Sequence, residues 1–354
     1  SGVDTSSISS IASKNLNKLK TFTCGFDMKS SSGIEIFFDE RDKAKSISET
    51  INSDHKELIV SSKDMENCLD KLVYHLEEPR VGQSYPNFLI AKHVSKYTKV
   101  VLSGTGGDEL FAGYPWRYLK NNNLDNLDEF IDNYYLKWQR LVNNSTLKKL
   151  FKPINDKVKN VWTKDIFSNI YNNQNNKDQI VNNCLYFEAK TFLTGLLTVE
   201  DKLSMAHGLE VRVPFLDNDL VDFALNCPIE YKINLDKNNN DFDENTAGNK
   251  KDIYFEKTNN GKLILRDVLS KFVDKNIAMQ NKQGFSGPDS SWFKHDSYEF
   301  IHDKILNKKA LIFDYMDHNI VKNLINDHIS GNSNRRLLLW SLLYFESYLN
   351  VFKI

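Results

Sequence analysis

The sequence predicts an α/β protein: a doubly wound, Rossmann-like parallel sheet followed by a large, mostly helical C-terminal part. Three observations carry this reading. Strand and helix patterns alternate from Thr21 to Leu102. The stretch Lys99–Tyr114, KVVLSGTGGDELFAGY, then closes a short apolar strand with a glycine turn and an acidic pair. Beyond Arg117 the strand signals thin out and helical periodicity takes over.

Taken in order, Ser1-Gly2-Val3-Asp4-Thr5-Ser6-Ser7 reads as a glycine turn with one acid and several hydroxyls, ahead of a helix from Ile8 to Leu19. Hydroxyls and N–H groups at a helix start make an anion cradle. A polar, Ser-rich chain end reads the same way with no ligand at all. No strand delivers the chain into this turn, so a natural start upstream of Ser1 is expected. Thr21–Phe26 alternates as a strand ending at Gly25, and Ile34–Phe38 is another apolar run. A helix follows Asp39-Glu40 as far as Ile51, and His55–Val60 is the next strand. Met65–Leu76 and Asn87–Lys96 are helical before Lys99–Leu102 returns to strand. Right-handed crossovers then bring the turns after Thr21–Phe26 and Val100–Leu102 to one sheet edge, and Ser1–Ser6 belongs there too.

In the second half, Asp125–Val142 and Asp178–Leu197 carry helical periodicity. The segment at about 234–260, dense in Asn, Asp and Lys, has too little apolar content to pack and reads as a surface insertion. Leu263–Phe272, Ser291–Phe293 with its neighbours, and Leu337–Phe352 resume the helical pattern. Their aromatics read as core rather than as a cofactor platform. Within Asp201–Asp217, DKLSMAHGLEVRVPFLD, Glu210 and Arg212 share a face of an extended segment, where a buried ion pair fixing a loop is preferred over a catalytic role. Lys282, in the loop QNKQGFSGP, is a lone lysine that is solvated unless the fold carries it to a ligand.

The glycine turn holds the most chemical information. Gly104, Gly106 and Gly107 allow positive φ and let backbone N–H groups approach a ligand, while Asp108 beside Glu109 suits Mg²⁺ accompanying a phosphate. A nucleotide site at the carboxyl end of this strand is therefore expected. An ordinary strand-to-helix turn with acids in the first helical turn is the plain alternative.

Composition narrows the field. The chain has 354 residues, 40% hydrophobic and 26% charged, with a net charge of -1, as in soluble globular proteins. A near-neutral balance leaves no electrostatic footprint for a polyanion, so no nucleic-acid partner is expected. No apolar run reaches bilayer length and no signal pattern opens the chain, so a cytoplasmic protein with no membrane partner is expected. Cys24, Cys68, Cys184 and Cys227 form no C-x-x-C pair and read as buried thiols.

In this order the residues resemble the synthetase domain of the glutamine-dependent asparagine synthetase family, within the PP-loop ATP pyrophosphatases. The matching elements are SGVDTSS at 1 to 7, TFTCGF at 21 to 26, DE at 39 to 40, His55, EEP at 77 to 79, LSGTGGDELFAGY at 102 to 114, DKLSMAHGLEVRVPFLD at 201 to 217, NKQGFSGP at 281 to 288 and the closing LLLWSLLYFE. The resemblance covers 1–354, with a PP-loop core over 1–118 and a mostly helical part over 119–354. It implies that ATP, with Mg²⁺, converts a carboxylate to an acyl adenylate and that ammonia displaces AMP to leave an amide. By the same resemblance Ser1, Gly2, Thr5 and Ser6 cradle pyrophosphate and Asp4 and Asp108 hold Mg²⁺. Asp108 also takes part in the chemistry, the backbone around Cys24, Ser103 and Gly104 contacts the nucleotide, and Lys282 stabilises the charged transition state. Aspartate is the implied carboxylate, and the ammonia comes from glutamine through an upstream or separate glutaminase domain. A homodimer is compatible with this.

The match departs from the family in three places. Ser1 takes the place of the first glycine of the S-G-G-x-D-S loop and Thr5 that of its last serine, which keeps the hydroxyl. Thr105 stands where many relatives carry an acidic residue. Family members open with a Cys-initiated glutaminase domain, which the residues from Ser1 onward do not resemble, so these residues alone are expected not to hydrolyse glutamine. The alternatives are a relative that builds a different amide, lactam or peptide-derived ring, a non-catalytic nucleotide-binding homologue, and an N-terminal nucleophile at Ser1.

Overall fold

A computed structural model describes residues 2–118, 127–138, 141–154, 177–234, 260–280 and 284–354. Ser1, Lys282 and nearly all of the polar insertion lie outside the described residues.

The first helix, α1 (Val3–Asn15), starts earlier than its apolar pattern suggested and absorbs most of the expected turn. The hydroxyls fold back onto the helix. Thr5 Oγ1 donates to Gly2 O (3.2 Å) and Ser7 Oγ to Val3 O (2.8 Å), so both bond within the helix instead of opening a turn. Strand β1 (Lys20–Phe26) follows, then α2 (Arg41–Thr50) and β2 (Asp54–Val60). Between β1 and α2, the apolar run at Ile34–Phe38 is a short helical turn, Gly33–Phe37, and not a strand. Glu35 explains it, since its carboxylate accepts from Ser290 N (3.0 Å) and from Ser291 N (2.8 Å) across the molecule.

Helix α3 (Ser62–Leu76) opens on a capping box in which Ser61 and Asp64 bond each other's backbone N–H. Its apolar residues recur every three or four positions, and Met65, Leu69, Leu72, Val73 and Leu76 are buried. Then come α4 (Tyr85–Val94), β3 (Val100–Leu102) and the single turn α5 (Gly107–Leu110). Farther on come α6 (Leu127–Trp138), a short helix at Asn144–Leu150 and α7 (Lys177–Phe187), which runs through a π-helical turn at Glu188–Phe192 into α8 (Leu193–Met205). Strand β4 (Glu210–Arg212), α9 (Asn218–Asn226), α10 (Leu263–Leu269), α11 (Asp289–Lys294), α12 (His318–Ile329) and α13 (Arg336–Phe352) follow, with single helical turns at Lys275–Ala278 and Tyr298–Ile301 among them.

The sheet pairing is parallel throughout. β1 pairs with β2 in the register Lys20↔Asp54 to Phe26↔Val60, and β3 pairs with β4 from Val100↔Glu210 to Leu102↔Arg212. Among the described residues no ladder joins the two pairs, so the structure has two two-stranded sheets where one doubly wound sheet was expected. The pairing of β3 with β4 links distant segments, and neither three-residue strand is long enough to announce it.

The expected Glu210–Arg212 pair forms within β4, with Arg212 Nε 2.8 Å from Glu210 Oε1. It is not buried, because the two side chains are 55% and 64% exposed. A solvated pair of this kind contributes about 0–1 kcal/mol, so it does not fix the loop.

The main core joins both halves of the chain. Side chains of α3 and α4 pack with Trp292 and Phe293 of α11 and with Leu338, Trp340, Leu343 and Tyr344 of α13. The closing aromatics are core, as expected. Asp289 organises them, accepting from Tyr85 Oη (2.6 Å) and Trp340 Nε1 (2.9 Å). Lys202 of α8 donates to Leu76 O (2.7 Å) and reaches Glu77 (3.0 Å), which ties α8 to the end of α3. All four cysteines are buried free thiols. Among the described residues no helix is long and apolar enough to cross a membrane.

Candidate active site

The site lies where the start of α1 meets the loop that leaves β3. Gly2 caps α1 in extended backbone (φ -66°, ψ 156°), and the first intrahelical bond runs from Ser6 N to Gly2 O, 2.9 Å. Helix geometry leaves the N–H groups before that bond without an intrahelical acceptor, at the positive end of the helix dipole. Thr5 is exposed there. Ser6 is buried, and its hydroxyl has no hydrogen-bond partner among the described residues.

Gly104 presses on this helix start. A Cβ at Gly104 would lie 2.9 Å from Asp4 Cβ and from Thr5 Cγ2, and 3.0 Å from Thr5 N. Only glycine lets the two backbones approach so closely. Gly106 then takes the left-handed conformation (φ 97°) that turns the chain into α5. Gly104→Ala is expected to lose about 1–3 kcal/mol through overpacking against the start of α1. Denaturant midpoints check this, and a variant matching the parent would show that the contact is slack.

Asp4, in the first turn of α1, and Asp108, in α5, converge on one ammonium. Lys262 Nζ pairs with Asp4 Oδ2 and lies 2.5 Å from Asp108 Oδ1. Lys262 is only 4% exposed. Burial by itself would lower its pKa, but Asp108 and Asp4 more than offset that and hold it above the ordinary lysine range. The backbone is arranged for this pairing. Lys262 sits in left-handed conformation (φ 59°) at the start of α10, and its N–H donates to Phe111 O, 3.0 Å.

The two sequence-predicted carboxylates are therefore brought together, and the cation between them is a residue that the sequence patterns do not single out. Lys262 follows Asn260-Gly261 at the end of the polar insertion, where one more lysine among many gives no signal. Its position immediately before the apolar run Leu263-Ile264-Leu265 is the one cue that could have found it. The donor set also fits Mg²⁺. Hard carboxylate oxygens from two segments already compensate a positive charge here, and Mg²⁺ is held by one or two carboxylates together with substrate phosphates rather than by a full protein cage. Among the described residues no cluster of three or more His, Cys, Asp or Glu side chains offers a fuller cage.

The remaining predicted residues fall nearby or outside the described residues. Ser103 N donates to Arg212 O (2.8 Å), and Ser103 Oγ lies 3.0 Å from Thr105 Oγ1. Cys24 is buried in β1; burial, with the Asp39 charge adding to it, pushes its thiol up to about 12. Such a thiol is inert as a nucleophile. Ser1 and Lys282 lie outside the described residues.

A buried polar network backs the acidic pair. Tyr114 Oη donates to Glu109 Oε1 (2.8 Å), and Tyr118 Oη donates to Glu188 Oε2 (3.0 Å). The Arg117 guanidinium stacks on Tyr114, Trp138 and Phe192 and lies 3.6 Å from Glu188 Oε1. Glu188 begins the π-helical turn and is fully buried. Burial pushes its carboxyl up to about 8, with Arg117 opposing and Glu109 adding to the rise. A raised folded-state pKa means that the native protein keeps a proton the unfolded chain gives up. Stability from this group is therefore fully present below pH 4.5 and is lost as pH rises through about 8. Glu188→Gln is expected to flatten that dependence and to be more stable than the parent at the alkaline end. Thermal melts across the window check it, and parallel slopes would count against it.

The asparagine synthase family model matches residues 1–350. Asparagine synthetase [glutamine-hydrolyzing] 1 of Bacillus subtilis is 25% identical over 97% of this chain and 54% of its own length. A putative asparagine synthetase [glutamine-hydrolyzing] of Mycobacterium bovis is likewise 25% identical over 97% of this chain and 52% of its own length. Asparagine synthetase [glutamine-hydrolyzing] 1 of Lotus japonicus is 24% identical over 88% of this chain and 43% of its own length. The chain thus spans about half the length of the first two relatives.

Proposed function

This chain belongs to the asparagine synthase family, and on that footing we propose that it is the synthetase part of an ATP-dependent, AMP-forming amide ligase. The substrate is a carboxylate, aspartate being the first choice, and the nitrogen donor is ammonia released from glutamine by a glutaminase domain. The core over 1–118 is of PP-loop type, and the mostly helical part over 119–354 completes it and lends it the strand β4. The reading places the protein in the cytoplasm.

The observation that carries the proposal is the convergence of Asp4 and Asp108 on Lys262. Nucleotide activation needs an N–H cradle for pyrophosphate, carboxylates for a divalent cation and a lysine to balance developing charge, and this cluster supplies them in one place. The start of α1 and the loop around Gly104 receive the phosphates, Thr5 contributes its exposed hydroxyl, and the backbone near Cys24 and Ser103 faces the nucleoside. Asp4 and Asp108 hold Mg²⁺, which when bound neutralises phosphate charge. In the first step a carboxylate oxygen attacks the α phosphorus, a new P–O bond forms, and the bond to the β-phosphate breaks to release pyrophosphate. Lys262 balances the charge on the leaving pyrophosphate, and the family resemblance gives Lys282 the same role at the transition state. In the second step ammonia forms the C–N bond, AMP leaves with the electron pair, and a proton is lost.

The experiment is pyrophosphate exchange into ATP in the presence and absence of aspartate. Exchange that requires aspartate supports the reading. Exchange that requires a different carboxylate supports the second reading, a relative building another amide or ring, which Thr105 in place of an acid favours. No ATP binding by calorimetry would leave a non-catalytic homologue.

A further inference from the structure

Two loops far apart in the chain meet through a side chain that the steps above do not use. Gln83, between α3 and α4, spans the backbone of the GFSGP loop: its Nε2 donates to Phe285 O (2.8 Å) and its Oε1 accepts from Gly287 N (3.3 Å). Arg336, the first residue of α13, donates from Nη1 to the same Oε1 (3.2 Å) and lies 3.5 Å from Asp289 Oδ2. A guanidinium only donates and a peptide carbonyl only accepts, so these two neighbours leave the Gln83 amide one orientation.

The far end of this loop is anchored by buried groups. Asp289 accepts from Tyr85 Oη (2.6 Å) and Trp340 Nε1 (2.9 Å), and Glu35 accepts from the N–H groups of Ser290 and Ser291. A Cβ at Gly287 would run into Tyr85 Oη, so the chain passes flush against the start of α4 there. Ahead of Gly287, burial gives little hold. Phe285 touches Phe26 at the end of β1 (ring centroids 6.4 Å apart), yet it is 50% exposed. Among the described residues, Gln83 is the one side chain that hydrogen-bonds the backbone from Gly284 to Gly287.

We infer that Gln83 is a positioning residue, its amide setting where the segment from Gly284 to Gly287 stands at the carboxyl end of β1 and thereby the rate of pyrophosphate formation. That role rests on the amide-ligase reading, in which this loop serves the first step through Lys282, three residues ahead of Phe285 in the chain. Sliding or rotating the segment breaks at least one of its two bonds to the amide. A carboxylate cannot take the amide's place, because it has no donor for Phe285 O, and an apolar side chain supplies neither bond. A misplacement of about 1 Å in a group that meets the reacting phosphate costs on the order of 10²-fold in rate, while the contacts that bind ATP elsewhere are kept.

The test reads loop position and rate separately. Gln83→Met keeps the length of the side chain and removes both bonds to the loop. Exchange of pyrophosphate into ATP, with whichever carboxylate supports it in the parent, is expected to fall by roughly 10- to 10²-fold in maximal rate while the KM for ATP stays within about twofold. Chymotryptic cleavage after Phe285, followed by mass spectrometry, is expected to be several-fold faster than in the parent, with little change in melting temperature. A maximal rate at the parent's level, or unchanged cleavage, would overturn the inference. So would a loss of rate matched by a rise in KM and a fall in melting temperature, because a merely structural contact behaves that way. If Gln83→Met does not fold, Gln83→Glu makes the same comparison, keeping the acceptor for Gly287 and Arg336 and setting a carboxylate oxygen against Phe285 O. A parent that exchanges pyrophosphate with no carboxylate sinks the amide-ligase reading itself, and the cleavage result still decides whether Gln83 holds the loop.

Discussion

Lys262→Met is expected to be the most damaging single change, lowering stability by about 3 kcal/mol and pyrophosphate exchange by at least roughly 10²-fold. The physical reason is uncompensated charge. The Asp4 and Asp108 side chains are 13% and 21% exposed, so once the ammonium is gone their repulsion is little screened by water. The apolar replacement fills the space of the lysine stem but supplies no charge. Mg²⁺ is therefore expected to raise the melting temperature of Lys262→Met more than that of the parent, because a divalent cation can take over the compensation. Calorimetry with and without Mg²⁺ checks this. Equal stability of variant and parent, with no response to the metal, would show that the carboxylates are not coupled through Lys262.

Asp108→Asn and Glu109→Gln, side by side in the chain, are expected to differ sharply. Asp108→Asn removes half of the carboxylate pair and is expected to cut exchange by roughly 10²- to 10³-fold, with weaker Mg²⁺-dependent ATP binding. The fold should tolerate it, since Lys262 keeps Asp4. Glu109→Gln is expected to leave exchange close to the parent. Glu109 is buried and its Oε1 accepts from Tyr114 Oη, a bond that the amide oxygen of glutamine keeps, while burial first, then the Asp108 charge, raises its carboxyl. Exchange assays on both variants decide the matter, and equal losses would mean that the two acids act as one unit.

That contrast bears on how much of the site is legible in the sequence. Asp108-Glu109 is one acidic pair to the eye, yet one member faces Lys262 and the other faces Tyr114. In regular segments the pattern is enough. Leu69, Leu72, Val73 and Leu76 recur at helical spacing and form the buried face of α3, and Thr21–Phe26 and His55–Val60 alternate and pair. The same pattern fails at Ile34–Phe38, where Glu35, bonded to the distant Ser290 and Ser291 backbone, converts an apolar run to a helical turn. It also fails at Val3–Ser7, where α1 begins ahead of its apolar residues and Ser7 bonds back to Val3 O.

What the amino-acid order settles by itself is therefore local: the helices and strands whose side chains repeat every 3.6 or 2 residues, the glycines that permit a tight turn, and the motif succession that marks the family. What only the folded chain decides is which charges meet. Lys262 carries only a faint local signal, Glu210 and Arg212 pair in water rather than in the interior, and Glu35 meets the distant Ser290 and Ser291 backbone. Periodicity is a property of neighbouring residues. Charge compensation acts through space, and its strength depends on burial, which no residue has until the rest of the chain has closed around it.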